Sequence, residues 1–257
     1  MRVVILAGGM GTRLAEETEV RPKPMVEIGD RPILWHIMKH YGYYGHNEFF
    51  VALGYRGEVI KRYFMDFFTL QGNFTIDIQQ REVVRHAFEH EDWKIHLVDT
   101  GLNTMTGGRV KRLQTQLSGE PFLLTYGDGV SNVNLDHLLK FHRSHGKLCT
   151  ITAVRPPSRF GGLLFNGPLV SEFSEKPQAG EGWINGGFMV MEPAVFEYFS
   201  GDSCIMEKEV LETLAAEGNL AAYQHEGFWQ CMDTIRDKRL LESLWAGGNA
   251  AWKVWNE

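Results

Sequence analysis

The chain has 257 residues, of which 44% are hydrophobic and 23% are charged, and its net charge is −6. This composition supports a substantial apolar core and excludes a disordered or low-complexity protein. The negative charge argues against a nucleic-acid partner, because general nucleic-acid binders are usually basic, although cations grouped in a cleft can still bind an anionic substrate.

Cysteine use and hydropathy predict a cytoplasmic protein. Cys149, Cys204 and Cys231 are odd in number and form no Cys-x-x-Cys motif, which is typical of reduced thiols. Met1 leads directly into an apolar run, so no signal peptide is expected. No apolar run approaches the roughly 20 residues that a transmembrane helix needs, so no membrane partner is expected.

Strand and helix patterns alternate along the first half of the chain. The predicted strands cover residues 3–7, 49–53, 74–79, 95–98 and 122–125. The predicted helices are one that Asp30 caps with Pro32 in its first turn, then residues 59–68 and 108–117. Segment 74–79 alternates in polarity, which is typical of an edge or antiparallel strand.

The second half continues the alternation more loosely. Helices are predicted over residues 135–145, 194–199, 210–217 and 235–245, and strands over 149–154, 169–173, 187–191 and 220–224. We therefore expect an α/β fold, with a mostly parallel central sheet, helices on both faces and small antiparallel additions. No Pro-, Ser- or Gly-rich linker divides the chain, so one domain over residues 1–257 is predicted.

A glycine-rich turn follows the first strand. Gly8, Gly9 and Gly11 come directly after an apolar run, and Arg13 and Lys23 follow them. Glycine lets bare backbone N–H groups approach an anion closely, and the two cations suit a highly charged one such as a nucleoside triphosphate. The turn fits neither the Rossmann Gly-x-Gly-x-x-Gly pattern, since Leu14 stands at the third glycine, nor a Walker A loop.

Two aspartates are candidate metal ligands, and each has an ordinary alternative. Asp128 lies between Gly127 and Gly129 at a predicted strand end, where an Asp-Gly turn is also common. Asp233 precedes the last helix, where it could equally be an N-cap. Mg²⁺ prefers one or two carboxylates together with substrate phosphates.

Several segments together resemble the sugar-1-phosphate nucleotidyltransferases. The sequence Leu-Ala-Gly-Gly-Met-Gly-Thr-Arg-Leu covers residues 6–14, and Arg-Pro-Lys-Pro-Met covers 21–25. The likeness continues through Tyr-Gly-Asp-Gly (126–129), Glu-Lys-Pro (175–177), Asn-Gly-Gly (185–187) and Trp-Gln-Cys-Met-Asp (229–233). Segments 32–38, 98–109 and 159–161 are most similar to the branch that uses CTP and glucose 1-phosphate.

The resemblance implies a Rossmann-like fold and a Mg²⁺-dependent enzyme that binds CTP and a sugar 1-phosphate, within a pathway to deoxysugars or surface polysaccharide such as the lipopolysaccharide O-antigen. Residues 1–130 would mainly bind the nucleotide, and 131–257 the sugar phosphate and other subunits of a homo-oligomer, for which a hexamer is one candidate. Arg13 and Lys23 would be the catalytic cations, and Asp128 and Asp233 the metal ligands. The sugar phosphate would contact Glu175, Lys176, Asn185 and Gly187. The remaining nucleotide contacts would be Leu6, Ala7, Gly8, Gly9, Met10, Gly11, Thr12, Thr104, Arg109 and Gly127.

One departure from the family pattern leaves the sugar open. The family usually has a glutamate followed closely by proline near residues 207–210, whereas this chain has Met-Glu-Lys-Glu-Val over 206–210. Either Glu207 or Glu209 could face the sugar. The same chemistry with UTP, dTTP or another sugar phosphate, and a non-catalytic nucleotide-sugar sensor, are the alternatives.

Two further features favour structural roles. The pairs His36/His40 and His86/His90 have the spacing of a metal pair on a helix, but neither is a His-Glu-x-x-His motif. Trp245, Trp252 and Trp255 indicate packing or a subunit contact.

Overall fold

The structure is a computed structural model that describes residues 1–11, 14–86, 91–156, 162–166, 168–174 and 182–256. Its strands are β1 Arg2–Ala7, β2 Glu27–Ile28, β3 Arg31–Pro32, β4 Glu48–Leu53, β5 Phe74–Asp77, β6 Glu82–Arg85, β7 Lys94–Asp99, β8 Phe122–Tyr126, β9 Gly129–Ser131, β10 Cys149–Val154, β11 Gly162–Asn166, β12 Leu169–Ser174, β13 Ile184–Asn185, β14 Met189–Met191, β15 Leu220–His225 and β16 Trp229–Cys231. Its α-helices are α1 Ala15–Thr18, α2 Ile33–Tyr43, α3 Gly57–Leu70, α4 Thr106–Lys111, α5 Gln114–Leu117, α6 Leu135–His145, α7 Glu212–Ala216 and α8 Ile235–Ala246. Lys23–Met25 and Pro193–Tyr198 are 3₁₀ helices, and Met206–Leu211 is a π-helix.

The central sheet has the strand order β13-β10-β14-β8-β1-β4-β7, and β15 also pairs with β10. Strands β8, β1, β4 and β7 are parallel neighbours, and β10 pairs with β15 in parallel. β14 lies between β8 and β10 and runs antiparallel to both. The predicted mostly parallel sheet with antiparallel additions is confirmed.

Each face of this sheet is covered by its own apolar core, because alternate residues of a strand point to opposite faces. Val3 and Ile5 of β1 belong to one core, which also contains α2, α6 and the C-terminal tryptophan Trp252. Val4 and Leu6 belong to the other, which contains α4 and the π-helix. Helices on both faces were predicted and are present.

Three local predictions were wrong for physical reasons. Asp30 does not cap α2, because Arg31 and Pro32 pair with β2 in extended conformation and Pro32 itself precedes the first helical residue. The single helix predicted over 108–117 is two short helices, α4 and α5. β14 begins only at Met189, because Gly187 and Phe188 have positive φ angles of 76° and 45°.

The C-terminal tryptophans are part of the fold. Trp252 and Trp255 are buried in the core around α2, which confirms the packing interpretation. The Trp252 indole Nε1–H donates to Nδ1 of His36 over 3.4 Å, and Nε2 of His36 lies 2.9 Å from the Ile28 carbonyl oxygen. His36 therefore joins α2 to the chain end as a neutral imidazole. No helix among the described residues is long and apolar enough to cross a membrane.

Candidate active site

The cavity that holds the predicted nucleotide residues lies where β1 and β8 end. These strands are parallel neighbours, with Leu6 opposite Tyr126, and the Gly127 N–H donates to the Leu6 carbonyl oxygen over 3.0 Å. The glycine turn and the Asp128 turn therefore leave the same edge of the sheet, as expected for a ligand crevice beyond the carboxyl ends of parallel strands. The cavity has a volume of about 310 Å³.

Four segments line this cavity: residues 6–9 with 11, residues 23–24, residues 104–106 with 109, and residues 126–128. They include the predicted residues Leu6, Ala7, Gly8, Gly9, Gly11, Lys23, Thr104, Arg109, Gly127 and Asp128. Met10 is half exposed and is not among the lining residues. Thr12, Arg13, Glu175, Lys176 and segment 159–161 lie outside the described residues.

Lys23 brings the two predicted metal ligands together. Its ammonium Nζ donates to Oδ2 of Asp128 over 2.8 Å and also to Oδ1 of Asp233. Pro22 and Pro24 hold the segment rigid on either side, and only 11% of the Lys23 side chain is exposed. Burial alone would lower the pKa of Lys23, but the Asp128 charge and the hydrogen bonds from both carboxylates raise it above its ordinary value. Lys23 is therefore a fixed positive charge at the cavity.

Arg109 is the second buried cation, and its hydrogen bonds go to neutral acceptors. Nη1 donates to the Leu53 carbonyl oxygen at 2.9 Å, Oγ1 of Thr100 at 2.8 Å and the Gly101 carbonyl oxygen at 2.7 Å. Nη2 donates to the Gly8 carbonyl oxygen at 3.1 Å and that of Leu102 at 3.3 Å. The guanidinium thus joins the glycine turn to the ends of β4 and β7.

Glycine leaves room for that guanidinium on both sides. A Cβ at Gly8 would collide with the Arg109 guanidinium, and one at Gly54 would lie 2.5 Å from Nη1. Burial, and then the Arg112 charge, lower the pKa of Arg109, although an arginine remains charged at neutral pH. In this structure Arg109 lines the cavity and donates to the Gly8 carbonyl oxygen of the glycine turn, and its predicted contact with the nucleotide stays a prediction.

Of the residues predicted to contact the sugar phosphate, the structure describes Asn185 and Gly187. Nδ2 of Asn185 donates to the Tyr126 hydroxyl over 3.4 Å, and a Cβ at Gly187 would lie 3.1 Å from the Tyr126 ring. Asn185 and Gly187 therefore pack around a cavity residue. Sequence reasoning did not assign a role to Tyr126 or Thr106, because their place in the site depends on contacts distant in sequence.

The structure distinguishes Glu207 from Glu209. Glu207 accepts hydrogen bonds from the hydroxyls of Thr106 and Tyr126, both of which line the cavity. Glu209 instead accepts from the Ile205 N–H and the Ser200 hydroxyl, and its side chain is exposed. Glu207 is the glutamate on the cavity side.

The two aspartates fit a divalent cation. Their carboxylates converge on one ammonium group at a cavity that opens beside a glycine turn, and carboxylate pairs with phosphate oxygens are the donors that Mg²⁺ prefers. Asp128 and Asp233 are the residues that would hold it.

Comparison with known proteins decides the family. The family described as "Nucleotidyl transferase" matches residues 2–238. The chain belongs to this family. The sequence-based resemblance and the prediction of an enzyme are thereby confirmed.

Relatives and solved structures agree with this assignment. The nucleotidyltransferase is 49% identical to glucose-1-phosphate cytidylyltransferase of Salmonella typhimurium, over 99% of this chain and all of the relative. It is 45% identical to the probable glucose-1-phosphate cytidylyltransferase of Bacillus subtilis over the same shares of the two chains. The structure of HddC from Yersinia pseudotuberculosis has the same fold, with a TM-score of 0.67, 22% identity and coverage of 95% of this chain and 99% of that one.

Proposed function

We propose that this chain transfers a cytidylyl group from CTP to α-D-glucose 1-phosphate, which gives CDP-glucose and pyrophosphate. The observation that carries the proposal is the 49% identity, over the whole chain, to a protein named for this reaction. The glycine turn, Lys23 and Asp128 line one cavity, and Asp233 accepts from the same Lys23 ammonium. This set supports the proposal, since a triphosphate needs backbone donors, cations and a metal.

The chemistry is a direct displacement at phosphorus. A phosphate oxygen of the sugar phosphate forms a bond to the α-phosphorus of CTP, and the bond from that phosphorus to the bridging oxygen breaks. Pyrophosphate leaves with the electron pair of the broken bond. Because both reactants are anions, the protein must neutralise their charge and hold them in line.

The described residues divide this work between them. Gly8, Gly9 and Gly11 present the backbone to the β- and γ-phosphates, with Arg109 fixing the Gly8 carbonyl from behind. Lys23 supplies positive charge to the α-phosphate and the leaving oxygens. Mg²⁺, held by Asp128 and Asp233, would neutralise further phosphate charge when bound. Arg13, Glu175 and Lys176 keep their predicted roles as part of this proposal.

A substrate panel tests the assignment. The purified protein is incubated with Mg²⁺ and each of CTP, UTP and dTTP, paired in turn with glucose 1-phosphate and other sugar 1-phosphates, and pyrophosphate release is measured. We expect the highest kcat/KM for CTP with glucose 1-phosphate. Preference for another nucleotide or sugar would overturn the substrate assignment, and binding without turnover would favour the sensor alternative.

We also propose that the protein forms a homo-oligomer. The surface of α3 and the β5–β6 hairpin supports this, because all residues of both hairpin strands are exposed and a two-stranded hairpin alone is marginally stable. On α3 the exposed fraction is 73% for Phe68 and 67% for Met65, and on β5 it is 55% for Ile76. Exposed apolar patches of this kind mark contact sites. Light scattering after gel filtration should give a molar mass that is a multiple of the 29.3 kDa of one chain, and this mass should be lower for the Phe68→Ser variant. A monomeric wild type would refute this part.

Cytoplasmic location and a pathway to deoxysugars or surface polysaccharide remain part of the proposal. The pathway is proposed from the nature of the product, a nucleotide-activated sugar, and the location from the three free cysteines.

A further inference from the structure

Two hydroxyl groups at the cavity wall share one carboxylate that lies behind them. The Thr106 hydroxyl donates to Oε2 of Glu207 over 2.7 Å, and the Tyr126 hydroxyl donates to Oε1 over 2.7 Å. Thr106 and Tyr126 line the cavity, whereas Glu207 is not among its lining residues. We call this set of three residues the carboxylate bridge.

The bridge joins elements that are distant in sequence. Thr106 opens α4, Tyr126 ends β8, and Glu207 lies in the π-helix, a type of turn that occurs often at functional sites. The Thr106 hydroxyl also accepts from the Met206 N–H over 3.0 Å, which holds α4 against the π-helix a second time. Thus the wall near Thr104 and the wall near Asp128 are fixed to each other through Glu207.

The bridge continues to the predicted sugar side. The Tyr126 hydroxyl, which donates to Glu207, accepts from Nδ2 of Asn185 over 3.4 Å. Oδ1 of Asn185 accepts from the Gly187 N–H over 3.0 Å, so the bend at 185–187 is tied to Tyr126.

We propose that Glu207 is a positioning residue that fixes the Tyr126 hydroxyl, and through it Asn185, at the cavity wall where the sugar 1-phosphate is held. This rests on the proposed function. Glu207 acts without touching the sugar, because two cavity-lining hydroxyls stand between its carboxylate and the cavity. Loss of its acceptor oxygens should weaken binding of the sugar phosphate more than binding of the nucleotide, because the proposed nucleotide site is at the glycine turn.

The variants Glu207→Gln and Tyr126→Phe test this. Both keep the shape of the side chain, but the first replaces one acceptor oxygen by an amide donor and the second removes the hydroxyl. We expect the KM for glucose 1-phosphate to rise about tenfold in each, as for the loss of one hydrogen bond to a charged group, with the dissociation constant of CTP changed less than about twofold. The double variant should raise the KM by less than the product of the two single increases, because both changes remove the same Tyr126–Glu207 hydrogen bond.

Two matched controls are available on the surface. Glu209 is the neighbouring glutamate of the same π-helix, and Tyr198 donates to Glu217 over 2.6 Å as an exposed phenol–carboxylate pair. Glu209→Gln and Tyr198→Phe should leave both substrate constants within about twofold of wild type, since exposed pairs contribute little.

The outcomes separate the bridge from the proposed function. The wild type is first assayed on the substrate panel, and the series is then run with the pair that it accepts. If that pair differs from CTP and glucose 1-phosphate, the substrate assignment fails, yet a selective rise in the sugar phosphate KM still supports the bridge. Three results would each overturn the bridge. The first is an unchanged KM for the sugar phosphate in Tyr126→Phe and Glu207→Gln. The others are effects that are fully additive in free energy in the double variant, or equal losses of affinity for both substrates.

Discussion

Two buried polar clusters in this chain meet the cost of burial in opposite ways. At the cavity, Lys23 and Arg109 stay charged, one against two carboxylates and the other against carbonyl oxygens. At the junction of α2 and the chain end, burial instead lowers the pKa of His36 to about 4, so this residue is neutral between Ile28 and Trp252.

The difference leads to separate expectations for the two clusters. A buried charge costs free energy unless its partners compensate, and a neutral hydrogen-bonded group would stabilise the fold at less cost. Under the proposed function the charge of Lys23 serves the substrate phosphates, whereas that of Arg109 also holds the glycine turn in place. We therefore expect variants of the first cluster to change turnover and variants of the second to change stability, with Arg109 affecting both.

The largest effect is expected for Lys23→Ala. Removal of a preorganised charge from the site of bond breaking should lower kcat about 100-fold or more. Steady-state pyrophosphate release measures it. Lys39→Ala is the matched control, because Lys39 also pairs with a carboxylate, that of Glu91 at 3.0 Å, but lies outside the cavity lining. Near-normal turnover of a folded Lys23→Ala protein would remove Lys23 from the chemistry.

Arg109→Met should lower both stability and activity. Five acceptors lose a charged donor, which should reduce the free energy of unfolding by about 2 kcal/mol. Urea unfolding measures this, and Arg112→Met, which removes only the exposed contact with Asp202, serves as the control. If stability is unchanged while CTP affinity collapses, Arg109 is a direct nucleotide ligand and not the support of the glycine turn.

Asp128→Asn should raise the Mg²⁺ concentration for half-maximal activity about tenfold, because an amide is a weaker ligand than a carboxylate for a hard cation. The measurement is a Mg²⁺ titration at fixed substrate concentrations. The surface variant Asp66→Asn provides the comparison. An unaltered titration curve would exclude Asp128 from the metal site and leave it only as the partner of Lys23.

The smallest effect concerns pH. In the unfolded chain His36 binds a proton below its ordinary pKa of 6.5, whereas in the folded chain it does so only near 4. The contribution of neutral His36 to the free energy of unfolding is therefore complete above pH 6.5 and falls as the pH drops toward 4. His36→Gln keeps a donor and an acceptor but does not titrate. Between about pH 7.5 and 5.5 it should lose about 1 kcal/mol less stability than wild type. Equal losses would mean that His36 is not the acid-sensitive group.

Sequence patterns predicted what local physics determines. The apolar runs predicted the buried strands. The glycine turn with Lys23 predicted the position of the cavity, since the carboxyl ends of parallel strands meet at one edge. The acceptors of Arg109 could not be predicted, because Leu53 and Thr100 reach it only after β4 and β7 pair. The place of Tyr126 at the cavity was missed for the same reason. Strand β6 was missed because its hairpin lies outside the two cores.

The reversed strand β14 has a consequence for synthesis. It covers the edge of β8, but it leaves the ribosome about 60 residues later, which at common rates of elongation is on the order of 3 to 12 s. During that interval the apolar strand β8 offers an open edge to other nascent chains. We expect the yield of soluble protein to depend on how many nascent chains expose this edge at one time, so slower initiation or added chaperone should raise it more than a change of buffer.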